Sequence, residues 1–148
     1  MFLTKYDRIS PMKTRIITKV SPDKIGHLNC NGVRIESNER ATYQQLLLFG
    51  FDIELIQPSR ITKVKNPDAL IFGTLWEIKT PTGSNVNTIR NRFRKASWQA
   101  SHLIFDLRFI KTKSEKIEKL LVELFIVTGR VRRMIIIKDE TILLDYYK

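Results

Sequence analysis

The chain has 148 residues, 43% of them hydrophobic, and carries 26 Lys and Arg against 15 Asp and Glu, for a formal charge of +11 and a pI near 10.0. That length and apolar content support one globular domain with a single core and not a disordered chain, while the charge points to a polyanionic partner, because each phosphate neutralised by Lys or Arg releases condensed counterions. Nucleic acid is the first partner by this argument and an anionic membrane surface the competitor; no run approaches the ~20 apolar residues of a membrane span, and the single cysteine, Cys30, excludes an internal disulfide and a multi-cysteine zinc site.

Residues 1–36 read as an N-terminal extension, polar and irregular, ahead of a domain over 37–148. The opening Met1-Phe2-Leu3-Thr4-Lys5-Tyr6-Asp7 lacks the apolar h-region of a signal peptide. β-Like fragments fall at 14–20 and 32–35, and Ser21-Pro22-Asp23 and Asn29-Cys30-Asn31-Gly32 are turns by composition. His27 has no motif around it and is at most a nucleic-acid contact. A helix is expected over 38–49, with Asn38 as N-cap, Gly50 just past its end and Tyr43, Leu46, Leu47 and Phe49 on its apolar side. Residues 51–56 alternate apolar and polar, the pattern of a strand with one face buried. Gln57-Pro58-Ser59-Arg60 turns the chain, and Lys63 and Lys65 lead onward.

Two β-type runs, 69–72 and 75–78, then flank Gly73-Thr74, which suits a tight hairpin with that pair as its loop. In that register Phe72 faces Leu75, Leu70 faces Glu77 and Asp68 faces Lys79. Strand alternation sends Asp68, Glu77 and Lys79 to one face and Ala69, Ile71, Trp76 and Ile78 to the other, which is core. Opposed Cβ atoms lie only ~5 Å apart, close enough for two carboxylates to share one cation. Two explanations account for three charged residues converging there: a cross-strand salt bridge, or a site in which Asp68 and Glu77 hold a hard divalent ion and Lys79 orients water and stabilises charge on a phosphate. A one-residue shift of the turn is expected to turn Asp68 to the far face.

A polar loop, 80–85, caps the next helix through Ser84 or Asn85, and Val86, Ile89, Phe93, Ala96 and Ala100 mark its buried face. Arg90, Arg94 and Ser97 share an adjoining face, with Arg92 and Lys95 elsewhere around the helix. Coming directly after Glu77-Ile78-Lys79, Arg90 and Arg94 are read as phosphate clamps. Residues 102–107 form an apolar strand whose Asp106 is structural or joins the site. Thr112 and Glu115 fit a capping box for a helix carrying Ile117, Leu120, Leu121, Leu124 and Val127. A closing hairpin, 131–137 with 141–147, turns at Lys138-Asp139-Glu140, and Arg130-Val131-Arg132-Arg133 makes a further basic stretch.

Pro67-Asp68 followed by Glu77-Ile78-Lys79 resembles the PD-(D/E)XK signature of restriction-endonuclease-like phosphodiesterases. The longer run from Asn66 to Thr82, with Asn87-Thr88-Ile89-Arg90 and Ala96-Ser97-Trp98-Gln99-Ala100, resembles the C-terminal tRNase domains of contact-dependent growth inhibition toxins (CdiA) over roughly residues 39–107. The resemblance implies an α/β, restriction-endonuclease-like core of helix, three strands, helix and strand, extended by a C-terminal helix and hairpin. It implies a metal-dependent endonuclease cutting tRNA, with Asp68, Glu77 and Lys79 catalytic, Glu39 completing the shell of a Mg²⁺ (or Mn²⁺ or Zn²⁺) ion, and Gln99 near the centre. It also implies action in the cytoplasm, after delivery into a target cell, and an acidic immunity protein. Three alternatives stay open. One is a metal-free ribonuclease of the barnase, colicin or RelE kind, using Lys79, Thr80, Thr82, Arg90 and Ser97 and leaving a 2′,3′-cyclic phosphate. The others are a DNA endonuclease and a non-catalytic nucleic-acid-binding module.

Overall fold

The alternation and helical spacing of the sequence resolve into three layers in a computed structural model, which describes residues 12–61, 65–83, 85–111 and 113–148. The opening heptapeptide, Lys63, Ser84 and Thr112, all invoked above, lie outside the described residues. The strands are β1 (Lys13–Thr18), β2 (Leu28–Asn29), β3 (Ile53–Leu55), β4 (Ala69–Ile71), β5 (Thr74–Lys79), β6 (His102–Asp106), β7 (Arg133–Ile137) and β8 (Ile142–Tyr147). They form one eight-stranded mixed sheet in the order β1-β8-β7-β6-β5-β4-β3-β2. The helices are α1 (Ser37–Leu48), α2 (Val86–Gln99) and α3 (Ser114–Val127).

The central strands β5, β6 and β7 run parallel, which requires crossovers, and α2 and α3 supply them. Parallel strands are covered on both faces, and β6 and β7 accordingly read as near-continuous apolar runs. Odd and even positions separate the two cores. Ile104, Ile135 and Ile137 join Trp76, Ile78 and the α1 residues Tyr43 and Leu46 on one side. Leu103, Phe105, Met134 and Ile136 meet Ile89, Phe93 and Ala96 of α2 and Leu121 and Phe125 of α3 on the other. Each such side chain, fully buried, stabilises the fold by ~1.5–3 kcal/mol before the entropy of ordering it.

The segment read as an extension is woven into this sheet at both ends: β1 pairs with β8 at one edge, β2 with β3 at the other. Residues 32–35 are no strand, because Gly32 (φ 74°) closes a turn in which Val33 N–H donates to Cys30 O at 2.8 Å, and Val33 and Ile35 pack against the α1-side core instead. The first helix starts earlier than the composition suggested. Its N-cap is Glu36, and Glu39 reaches back to accept the Glu36 N–H at 3.4 Å, so Asn38 lies inside the first turn. Asn85 caps α2 as expected, its Oδ1 accepting from Asn87 and Thr88 N–H at 2.9 and 3.3 Å.

The central hairpin turns one residue earlier than its composition indicated. Ile71 pairs with Thr74, Leu70 with Leu75 and Ala69 with Trp76, leaving Phe72-Gly73 as the loop. Both loop residues have positive φ (51° and 73°), the conformation whose twist matches the flanking strands, and Gly73 satisfies it without strain at the second position. Moving a two-residue loop by one position shifts the pairing by two, so side-chain parity is preserved. Asp68 therefore comes beside Glu77 instead of turning to the far face.

Asp106 is structural. It is fully buried, on the α1 side of the sheet, and accepts from Thr42 Oγ1 at 2.6 Å and from Arg108 Nη2 and Nε at 2.7 and 3.0 Å. Arg108 Nη2 also donates to Ala41 O, tying α1 to β6. Asp106→Ala would leave this guanidinium short of its main partner and should cost roughly 3 kcal/mol in urea unfolding with the denaturant slope unchanged. A loss below about 1 kcal/mol would mean that Glu140 and Ala41 suffice to satisfy Arg108.

Candidate active site

Past Ala69 the backbone ladder between β4 and β5 gives way to a side chain. Asp68 N–H donates to Trp76 O at 2.9 Å, but the acceptor for Ile78 N–H, at 2.7 Å, is the Asp68 carboxylate. A carboxylate standing in for a ladder carbonyl is held at backbone precision, directly against the β5 residues on either side of Ile78. On the opposite face Trp76 locks β5 in place. Its ring is 1% exposed, donates Nε1–H to Ile71 O at 3.3 Å, meets His102 edge-on at 5.0 Å and lies under the Arg133 guanidinium at 5.2 Å.

Glu77 projects to the α2 side and is only 5% exposed. Lys79 Nζ reaches its Oε2 at 3.2 Å, while Oε1 is buried and meets no donor among the described residues; a protonated Glu77 would share its proton with the Asp68 carboxylate. Burial, then the Asp68 carboxylate beside it, pushes the Glu77 carboxyl up to about 8, against the pull of Lys79. Near neutral pH this carboxyl thus holds a proton that an ordinary glutamate has lost. On α1, burial pushes the Tyr43 hydroxyl up, and the charges of Asp68, Glu39 and Glu77 push it further.

Two carboxylates pressed together, one with an unfilled buried oxygen, fit a divalent cation, which would relieve both the repulsion and the missing bond. Among the described residues no three His, Cys, Asp or Glu side chains already converge as a cage. Glu39, expected as the third ligand, is exposed and engaged with the Glu36 N–H at the start of α1.

Lys79 opens into a groove of about 400 Å³ that it lines with Thr88, Asn91, Arg92 and Lys95 of α2. Beside Lys79, the cations lining this groove among the described residues are therefore Arg92 and Lys95. Arg90 and Arg94 line a separate cleft of about 280 Å³ between α2 and α3, and Ser97 is buried there, donating to Arg94 O at 2.6 Å. The helical wheel alone places both basic pairs equally well beside the buried stripe. What decides is which flank of α2 lies over β5, and that requires the strand order.

Gln99 reaches the centre through the backbone. Its Oε1 accepts Asn66 N–H at 2.6 Å, and Asn66 Oδ1 accepts Ser59 N–H at 2.6 Å, so the chain entering Asp68 is pinned from both sides. Thr80 is half-buried just after β5 and Thr82 is exposed in the loop to α2. His27 lies elsewhere, in a groove of about 440 Å³ with Asp52, Glu54 and Phe72. That groove is roomier than the one at Lys79, but its two acids and lack of Lys or Arg suit no polyanion.

Residues 65–142, from just ahead of β4 to the first residue of β8, match the model of the contact-dependent growth inhibition CdiA C-terminal domain. In fold the chain is similar to a chain of the CdiA-CT/CdiI toxin and immunity complex from Burkholderia pseudomallei, with a TM-score of 0.57 and 22% identity, covering 80% of this chain and 98% of that one. No curated protein matches the sequence.

Because the folded state raises the Glu77 carboxyl from its ordinary 4.5 to about 8, the stability it contributes is present in full below pH ~4.5 and is lost as pH rises towards 8. Thermal melts without metal should therefore show stability falling across that window by a few kcal/mol, and Glu77→Gln should flatten the fall. An identical slope in the two proteins would mean that Glu77 titrates normally.

Proposed function

This chain belongs to the contact-dependent growth inhibition CdiA C-terminal domain family, whose model it matches over more than half its length, and on that premise we propose that it is a toxin nuclease that hydrolyses RNA, with tRNA as its substrate. The observation that carries the chemistry is the Asp68–Glu77 pair, Asp68 half-buried and Glu77 buried, with Glu77 Oε1 lacking a donor among the described residues and Lys79 Nζ 3.2 Å from Oε2 at the mouth of a basic groove. The order α1, β3, β4, β5, α2, β6 supports a restriction-endonuclease-like core as the scaffold.

In this reading Asp68 and Glu77 hold a divalent cation, Mg²⁺ first, which supplies Lewis-acid stabilisation of charge on a phosphate oxygen when bound. Glu39, once released from its bond to the Glu36 N–H at the start of α1, is the proposed further ligand. Lys79 spends one donor on Glu77 and keeps two, enough to orient the attacking water and to meet the charge growing on the phosphate. Arg92 and Lys95 hold the flanking phosphates, and Thr80 and Thr82 border their path. Gln99 is a positioning residue, acting on Asp68 through Asn66. The substrate places the activity in the cytoplasm of the cell the toxin enters. A cognate immunity protein with an acidic face would silence the domain by covering the groove.

One observation favours a metal-free variant of the same function. A glutamic acid that titrates near 8 can donate or accept a proton at neutral pH without any ion, and would serve attack by the ribose 2′-hydroxyl. Product ends separate the two chemistries. Incubation with total tRNA should give Mg²⁺-dependent cleavage, stopped by EDTA, leaving 3′-hydroxyl and 5′-phosphate ends; 2′,3′-cyclic phosphate ends that persist in EDTA would establish the metal-free route. Lys79→Ala should lose at least about a hundredfold in rate while remaining folded. RNA binding without cleavage under every metal would refute the nuclease. Gln99→Ala should lower kcat more than it raises KM, because it loosens Asp68 without touching the phosphate groove; equal kinetics would show that Asn66 holds its place alone.

A further inference from the structure

The cleft between α2 and α3 is not part of the acid-pair site, yet it too is lined by cations. Arg130, in the turn after α3, donates from Nη2 to Ser97 Oγ at 2.8 Å and from Nε to Ser97 Oγ and O at 3.2 Å, and its guanidinium lies 4.3 Å from the centroid of the Trp98 ring. Ser97 is itself buried, so Arg130 is held in one orientation by a fixed partner. Trp98 is 58% exposed, so its ring, with this cation against it, stays open to solvent. Arg90 and Arg94 line the same cleft, and among the described residues no acid does.

We infer that this cleft is a second nucleic-acid subsite, in which Arg90, Arg94 and Arg130 take backbone phosphates and the Trp98–Arg130 stack receives an unpaired base. At about 100° per residue, Arg92 and Lys95 occupy the flank of α2 toward Lys79, Arg90 and Arg94 the flank toward α3, and Asn91 and Trp98 the outward ridge between them. Asn91 lines both the groove and the cleft, so the two surfaces meet across one helix width, about 10 Å, roughly the reach of two nucleotides. A strand whose scissile phosphate lies at Lys79 therefore crosses α2 over Asn91 and Trp98 and delivers its next phosphates to the arginine cleft. Stacking on an exposed aromatic is tolerant of sequence and adds affinity base by base. The inference rests on the nucleic-acid function proposed above and adds to it where the substrate runs and that part of it is unpaired.

Binding of a fluorescent 2′-O-methylated oligoribonucleotide of about 12 nucleotides, in EDTA, tests this without cleavage. The wild-type protein should bind it and show quenched tryptophan fluorescence, since Trp98 is the exposed indole and Trp76 is 1% exposed. Trp98→Ala should abolish the quench and weaken binding at least about fivefold. Arg130→Ala and Arg94→Ala should each lower the slope of log K against log salt by about one. Wild-type binding with all three variants unchanged in affinity and slope overturns the subsite and leaves the function standing. Variants that keep RNA affinity but lose binding to poly-glutamate assign the cleft to an acidic polypeptide and also overturn it. A wild-type protein that binds no RNA overturns the proposed function, and the subsite with it.

Discussion

The hydrogen bond from Ile78 N–H to the Asp68 carboxylate, 2.7 Å long, is the constraint on which the rest of the site depends. A strand edge normally offers its neighbour a carbonyl. Here it offers a charge, and that charge is fixed against β5 at the one place where Glu77 also turns to the α2 side. The arrangement is costly, because two carboxylates close together in a poorly hydrated layer disfavour joint ionisation, and the Glu77 carboxyl rises accordingly. The surrounding structure holds the pair together: Trp76 anchors β5 from below, the Ser59–Asn66–Gln99 bonds pin the entry to Asp68, and Lys79 sets a positive charge against Glu77.

Comparison with the other buried acids sets this pair apart from the closed ion pairs of the fold. Asp106 and Asp145 are both fully buried, and each has both oxygens filled. Asp106 takes Thr42 and Arg108; Asp145 takes Arg15 at 2.6 Å and Arg133 at 2.9 and 3.1 Å. Those are closed ion pairs, and breaking them only destabilises. Glu77 has one lysine at 3.2 Å and one empty oxygen, and its lysine stands partly in solvent beside a groove. An unsatisfied polar atom in an otherwise well-paired interior is the feature a ligand would complete. The sheet divides the work accordingly, with its α1 face given to closed pairs and apolar packing and its α2 face to the acid pair and the cations above it.

Much of this was legible in the residues. Period-two alternation placed Asp68, Glu77 and Lys79 on one face and Trp76 and Ile78 on the other, and parity made that conclusion robust to the turn being one residue early. Local composition misplaced the turn because glycine is suited to either loop position; the positive φ of Phe72 is accepted in exchange for the twist of the hairpin and its edge contact with Phe51 at 5.1 Å. The placement of Arg92 and Lys95 was not legible, since a helical wheel gives the faces of α2 but not which of them overlies β5. Nor could it reveal that residues ahead of α1 close both edges of the sheet, because pairing partners as remote as β1 and β8 leave no periodic trace in either segment.

The central claim is that Asp68 and Glu77 form one strained acid pair that a divalent cation completes. Carbon-13 NMR titration of the Glu77 side-chain carboxyl, with and without Mg²⁺, addresses it most directly. The account predicts a midpoint near 8 without metal and a midpoint several units lower in saturating Mg²⁺. A midpoint near the ordinary 4.5 that Mg²⁺ leaves in place would contradict it.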